Sequence, residues 1–143
     1  MLPLMKSWLL KYQKRMKISF KKFLPGIAWF FVVLILICLP GKDIPKIGWL
    51  TGINFDKAVH VTVFGLLAVL FCQPFKNSLF NKTERLQYFI KIAIATSIWG
   101  LTTEFIQKYF VPGRFFDMLD WAADSLGALI ALWFSWKKFI KPS

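Results

Sequence analysis

The sequence predicts an all-α, polytopic membrane protein with four transmembrane helices and an N-terminal interfacial amphipathic helix. Three observations predict it. The 143 residues are 57% hydrophobic, with sixteen Phe and seven Trp, more apolar surface than a soluble domain of this size can hide. Four apolar runs approach the length that crosses hydrocarbon, about 20 residues at ~1.5 Å rise, and none of them alternates apolar and polar residues as a barrel strand would. The net charge of +12 is gathered at particular places along the chain.

Residues 1–22 hold seven of the basic residues: Lys6, Lys11, Lys14, Arg15, Lys17, Lys21 and Lys22. Among them Trp8, Leu9, Tyr12, Met16, Phe20 and Phe23 recur at helical spacing. This predicts a basic amphipathic segment on the cytoplasmic surface, where anionic lipid headgroups attract cations. Nucleic acid is not the expected partner, because no soluble basic fold accompanies the lysines. The four spans are expected at residues 23–39, 58–75, 88–105 and 119–136, so that 23–136 form the transmembrane domain and 137–143 a basic cytoplasmic tail. The first run ends at Ile35-Leu36-Ile37-Cys38-Leu39 without a small-residue cleavage site, and it is read as a permanent helix rather than a signal. Pro40-Gly41, Pro45, Pro74 and Pro112-Gly113 punctuate the ends. Lys91 is expected in the first turn of the third span, snorkelling, and Trp99 packed at depth. Cys38 and Cys72 fall near opposite membrane faces, so no disulfide is expected between them.

The basic residues set the orientation. Lys76, Lys82 and Arg85 in the second loop, and Lys137, Lys138 and Lys141 at the end, lie on the same side as the N-terminal seven. Lys42, Lys46, Lys57, Lys108 and Arg114 take the other side. Both termini are therefore expected in the cytoplasm and the protein in the cell (inner or cytoplasmic) membrane.

Asp43 and Glu84 are placed in solvated loops. The other five acids, Asp56, Glu104, Asp117, Asp120 and Asp124, fall at segment ends on the outer face, together with His60 and Arg114. Ionisable groups near membrane depth are costly and point to function. Asp56 and His60 are i and i+4 and share a helix face. Glu104 and Gln107 share another, beside Gly100 and Thr103. Asp117, Asp120 and Asp124 follow Arg114 at helical spacing, with Gly127 and Ala131 continuing as a small-residue stripe that should meet other helices. Among so many carboxylates Arg114 is expected to contact Asp117, Asp120 or Glu104 directly.

Asp56-Lys57-x-x-His60, Glu104-x-x-Gln107, Pro112-Gly113-Arg114 and Asp120-x-x-x-Asp124-x-x-Gly127 together resemble the VanZ-like membrane family over residues 25–136, with the basic N-terminal segment outside the shared region. The family usually has Asn where Asp124 stands and often Gly where Ala131 stands. The resemblance implies a cell-envelope role and tolerance to lipidated glycopeptides of the teicoplanin type. On that reading the outer-face site binds a lipid-linked envelope precursor or a lipoglycopeptide. Its ligand-binding candidates are Asp56, Lys57, His60, Glu104, Gln107, Arg114, Asp117, Asp120 and Asp124, and membrane lipids are its other partners. The alternative is a membrane-embedded enzyme on a lipid or lipid-linked substrate, with His60, Glu104 and Asp120 as catalytic candidates and His60 as acid or base. A structural bundle or transporter subunit is the third possibility. No cofactor and no resident metal are assigned, although the acids with His60 make an oxygen-rich set that could hold magnesium, calcium or manganese.

The topology gives a direct test. In a cysteine-free background, a cysteine at Asn54 should react with an impermeant thiol reagent from outside intact cells, and one at Asn81 only after permeabilisation. The reverse pattern inverts the orientation.

Overall fold

The structure, a computed structural model, describes residues 3–15, 18–40 and 55–140, and for 11–15 the backbone alone. The loop with Lys42, Asp43, Lys46 and Trp49, and the last lysine, Lys141, lie outside the described residues. Helix α1 covers Pro3–Arg15. A 3-10 turn, Phe20–Phe23, leads directly into α2, Leu24–Ile37, with Pro25 in its first turn, where a missing N–H costs nothing. Helix α3 is Phe55–Cys72 and continues as a 3-10 turn through Pro74. Helix α4 is Lys82–Phe110, and α5 is Met118–Ser135, followed by a π turn at Trp136–Ile140. No strand occurs among the described residues.

Among the described residues, three stretches are long and apolar enough to cross a membrane: Phe20–Ile37, Phe55–Phe75 and Lys82–Phe110. Helix α5 has 18 residues, but Asp120 and Asp124 make its N-terminal half less apolar. Helix α4 begins six residues before the apolar run and has 29 residues, about 44 Å at ~1.5 Å per residue. This corrects the expected loop position of Glu84. Asn81 Oδ1 accepts from the Glu84 N–H, and the Glu84 carboxylate accepts from the Asn81 N–H, both at 2.8 Å. That capping box starts the helix in a polar turn that hydropathy does not register. Lys91 is consequently the tenth residue of α4, exposed, with its ammonium 5.5 Å from the Tyr88 ring centroid.

The bundle is inverted relative to a soluble protein. Its outside carries large apolar side chains, such as Phe31, Ile35, Ile98, Leu129 and Trp133, each more than half exposed. Its inside holds His60, Thr96, Thr103, Glu104, Gln107, Asp120, Asp124 and Ser135, all buried. Only a solvent of lipid makes that arrangement favourable.

Contacts fix the order of helices. Helix α2 runs antiparallel to α3: Gly26 faces Phe71, and the Trp29 indole donates to the Val63 carbonyl at 3.0 Å. Val33, Ile37 and Phe64 pack between them, with Trp99 of α4 against Phe30 at 4.8 Å between centroids. Helix α5 runs antiparallel to α4, where the Trp121 indole donates to the Ser97 carbonyl and Ser97 shares a hydrogen bond with Ser125. It runs parallel to α3, and there the backbones nearly touch. A Cβ on Gly127 would lie 2.3 Å from the Val61 carbonyl oxygen and 2.9 Å from the Gly65 nitrogen.

The two ends differ in chemistry. One end is closed by Phe23, Phe75, Tyr88, Phe89 and Phe139, and Arg85 donates to the carbonyls of Lys76 and Phe139 at 3.0 Å each. Lys21, Lys22, Lys76, Arg85, Lys137 and Lys138 all belong to this end. Cys72 is buried here. Cys38 sits at the other end of the bundle, and both thiols are free.

The α3–α5 contact predicts an asymmetry between glycines. Gly127→Ala forces backbone apart and should cost about 3 kcal/mol or more. Gly113→Ala meets no atom within 4 Å but must hold φ near +76°, a cost of about 1–2 kcal/mol. Thermal melting of helical circular dichroism in detergent, with both variants side by side, checks this. Equal losses would mean the close approach is not a constraint.

Candidate functional site

The polar site is built at the end away from the aromatic plug, where α3 and α5 begin and α4 finishes. Helix α4 stops at Phe110 because Pro112 cannot continue it, and Gly113 takes the positive φ that turns the chain back. Asp117 then caps α5, accepting from the Leu119 N–H at 2.8 Å. Its own backbone N–H donates to Glu104 Oε2 at 2.9 Å. The last two turns of α4 thereby hold the first turn of α5.

Because α3 and α5 are parallel and in contact, residues of like height meet. The Lys57 ammonium donates to Asp117 Oδ2 at 2.7 Å and to Asp120 Oδ1, with Asp56 3.9 Å away. The Asp117 carboxyl lies below its ordinary value of 3.8, first through the hydrogen bond from Lys57 and then through that from the Leu119 N–H. One turn deeper, His60 Nδ1 is 2.8 Å from Asp124 Oδ1, and Nε2 is 3.7 Å from Asp120 Oδ2. The imidazole stacks on Phe64, with planes 4° apart. Asp124 fits because its neighbour on α4 is Gly100, where a Cβ would come within 2.7 Å of the carboxylate. Glu104 approaches from α4 so that one ligating atom each from His60, Glu104 and Asp124 lies within 4.8 Å of the others.

Seven of the nine predicted site residues are thus brought together: Asp56, Lys57, His60, Glu104, Asp117, Asp120 and Asp124. Two are placed otherwise. Gln107 is buried at the same end, but its amide donates to the Ile37 carbonyl at 3.4 Å and serves the last turn of α2. Arg114 makes no ion pair with Glu104, Asp117 or Asp120, and its Nε is buried without a hydrogen-bond partner, which corrects the expected contact. Lys57 takes that part. It stands in the first turn of α3, opposite the same turn of α5, whereas Arg114 sits before the cap and is carried past the acids by the Gly113 turn. The resemblance that implied Asn in place of Asp124 identifies the position that holds His60 Nδ1.

The sequence reading missed Gly65, the partner of Gly127, and the Ser97–Ser125–Trp121 contacts. Gly65 carried a signal, since a glycine inside a helix costs about 1 kcal/mol relative to Ala and asks for a packing reason. The serines carried none, being ordinary in polar context.

These features describe a helical membrane protein with a buried, mainly acidic site at one end of its bundle. The VanZ/LLP1 family model matches residues 4–140, and the chain belongs to that family. The match extends the resemblance seen in the motifs, since it begins at residue 4 and takes in α1. No curated protein and no solved structure matches the chain.

Lys57 carries the local charge balance. Lys57→Met leaves Asp117 and Asp120 facing each other unpaired and should cost about 1–3 kcal/mol, below the 3–5 typical of a fully buried pair because Lys57 and Asp117 retain solvent. Arg114→Met should cost less. The Asp117 contribution is present above its ordinary value of 3.8 and is lost as pH falls through its lower folded value. The stability gap between wild type and Lys57→Met, read from melting curves, should therefore shrink in acid.

Proposed function

We propose that the chain is a four-span protein of the cell (inner or cytoplasmic) membrane, with both termini cytoplasmic and α1 lying on the inner leaflet. Its polar site then opens on the outer face and engages the polar part of a lipid-linked envelope precursor or of a lipoglycopeptide of the teicoplanin type. The observation that carries this reading is the separation of charge along the bundle. Lys21 and Lys22, the 76–85 segment and the 137–138 segment collect at one end, and Asp56, His60, Glu104, Asp117, Asp120 and Asp124 at the other. Helix α5 crosses with its carboxylates turned inward and its apolar face, Leu126, Leu129, Ile130 and Trp133, turned to lipid. Membership of the VanZ/LLP1 family supports an envelope role. Lys57 is committed to its own carboxylates while Arg114, among the described residues, pairs with none of them, so Arg114 can meet an anionic group of the ligand.

A second reading, a membrane-embedded enzyme acting on a lipid or lipid-linked substrate, is favoured by one feature. The buried His60 is oriented by Asp124 on one nitrogen and faces Asp120 on the other, the arrangement a general acid or base requires. The Ser125 hydroxyl hydrogen-bonds Ser97 rather than His60.

Expression in a teicoplanin-sensitive host tests the first reading. The wild-type chain should raise the inhibitory concentration at least about twofold, and His60→Ala, Glu104→Ala, Asp120→Ala or Arg114→Ala should abolish the rise while leaving the protein in the membrane fraction. Wild-type levels of tolerance in all four variants would defeat it.

A further inference from the structure

We propose that His60, Glu104 and Asp124 form a binding site for one divalent first-row transition-metal cation. The three donors come from three different helices, an imidazole nitrogen from α3 and a carboxylate oxygen each from α4 and α5, and lie within 4.8 Å of one another. Bonds of ~2.0–2.2 Å to such an ion hold its donors roughly 3 to 4.4 Å apart, from adjacent to opposite positions, so modest side-chain rotation brings the three donors onto one ion.

The carboxylates ask for a ligand. Glu104 and Asp124 are each 0% exposed, and each has one oxygen, Oε1 and Oδ2, buried with no hydrogen-bond partner. Leaving such atoms unsatisfied is costly, most of all when they carry charge. Among the described residues, no lysine or arginine meets them. Lys57 is bound to Asp117 and Asp120, with Asp56 beside it, and Arg114 pairs with none of the acids named. A divalent ion balances two carboxylates and a neutral imidazole, taking the place of the proton between His60 and Asp124. The remaining shell already stands around it. Phe64 stacks on the imidazole, Asp120 lies 3.7 Å from Nε2 where it can orient the ring, and Asp117 N–H fixes the second oxygen of Glu104. A mixed imidazole and carboxylate set suits zinc or manganese, since magnesium and calcium prefer oxygen alone.

This site shares residues with the proposed outer-face function, but its test does not depend on any envelope phenotype. The full chain, purified in a nonionic detergent and stripped with chelator, is titrated with Mn2+, free ion being read by electron paramagnetic resonance, and then with Zn2+ as competitor. One Mn2+ per chain, displaced by Zn2+, is expected. Glu104→Gln and Asp124→Asn should each weaken binding more than tenfold, since loss of even an outer-shell partner costs ~10–100-fold. Glu84→Gln, at the opposite end, should leave it unchanged. Circular dichroism confirms that the variants keep their helices. Absence of saturable binding in the wild-type chain overturns the proposal whatever the variants do. So does binding that survives Glu104→Gln and Asp124→Asn, or that is lost only with Asp56→Asn, which would put the ion on Asp56, His60 and Asp120 instead.

Discussion

The contact between Gly65 and Gly127 is the constraint on which the rest of the molecule depends. With hydrogen alone at Gly127, α3 and α5 approach until the Val61 carbonyl lies where a Cβ would be. In lipid no hydrophobic effect pushes helices together, so such close packing must supply the association. The same contact sets the register of two parallel helices. Once Val61 and Gly65 are opposite Gly127, His60 must meet Asp124, and Lys57 must meet Asp117 and Asp120, because the two helices rise at the same rate. A packing decision in the middle of the bundle therefore becomes an electrostatic one at its end.

The second consequence is the way charge is stored. An isolated carboxylate in a low dielectric environment costs more than the bundle can repay, so every acid needs a partner. The structure provides partners in layers of depth. Asp56, Asp117 and Asp120 surround Lys57 near the rim. Deeper in, Asp124 meets His60, and Glu104 meets the Asp117 backbone. The deepest oxygens, Glu104 Oε1 and Asp124 Oδ2, remain without a protein partner. The opposite end is aromatic and basic, with Lys137 4.3 Å above the Trp133 ring and Lys76 near Phe139, as suits side chains that leave apolar surface for headgroups. The two ends are thus chemically unlike, one basic and aromatic, the other mainly acidic.

Much of this was legible before any coordinates. The gathering of Asp56, His60, Glu104, Asp117, Asp120 and Asp124 followed from their spacing, because i, i+3 and i+4 fix which side chains share a face and apolar runs fix which helix ends lie together. The start of α4 was not legible from hydropathy, since Asn81 and Glu84 begin a helix by hydrogen bonding rather than by burial. Arg114 and Lys57 show the other limit. Composition required a cation among the acids, and both residues stood close to them in the sequence. Which one reached them depended on the Gly113 turn and on the register of α3 against α5.

By itself, then, the sequence determined the apolar surroundings, the all-helical class and the helix ends at which polar residues collect. These depend on local hydropathy and on periods of 3.6 residues, which are properties of neighbours in the chain. Only the tertiary structure decided that Gly65 faces Gly127, that Gly100 makes room for Asp124, that Gln107 serves Ile37, and that Lys57 rather than Arg114 balances Asp117 and Asp120. Those are pairings between residues up to 70 positions apart. They are chosen by how closely helix backbones can approach, and ångström-scale fit of that kind has no signature in a one-dimensional pattern.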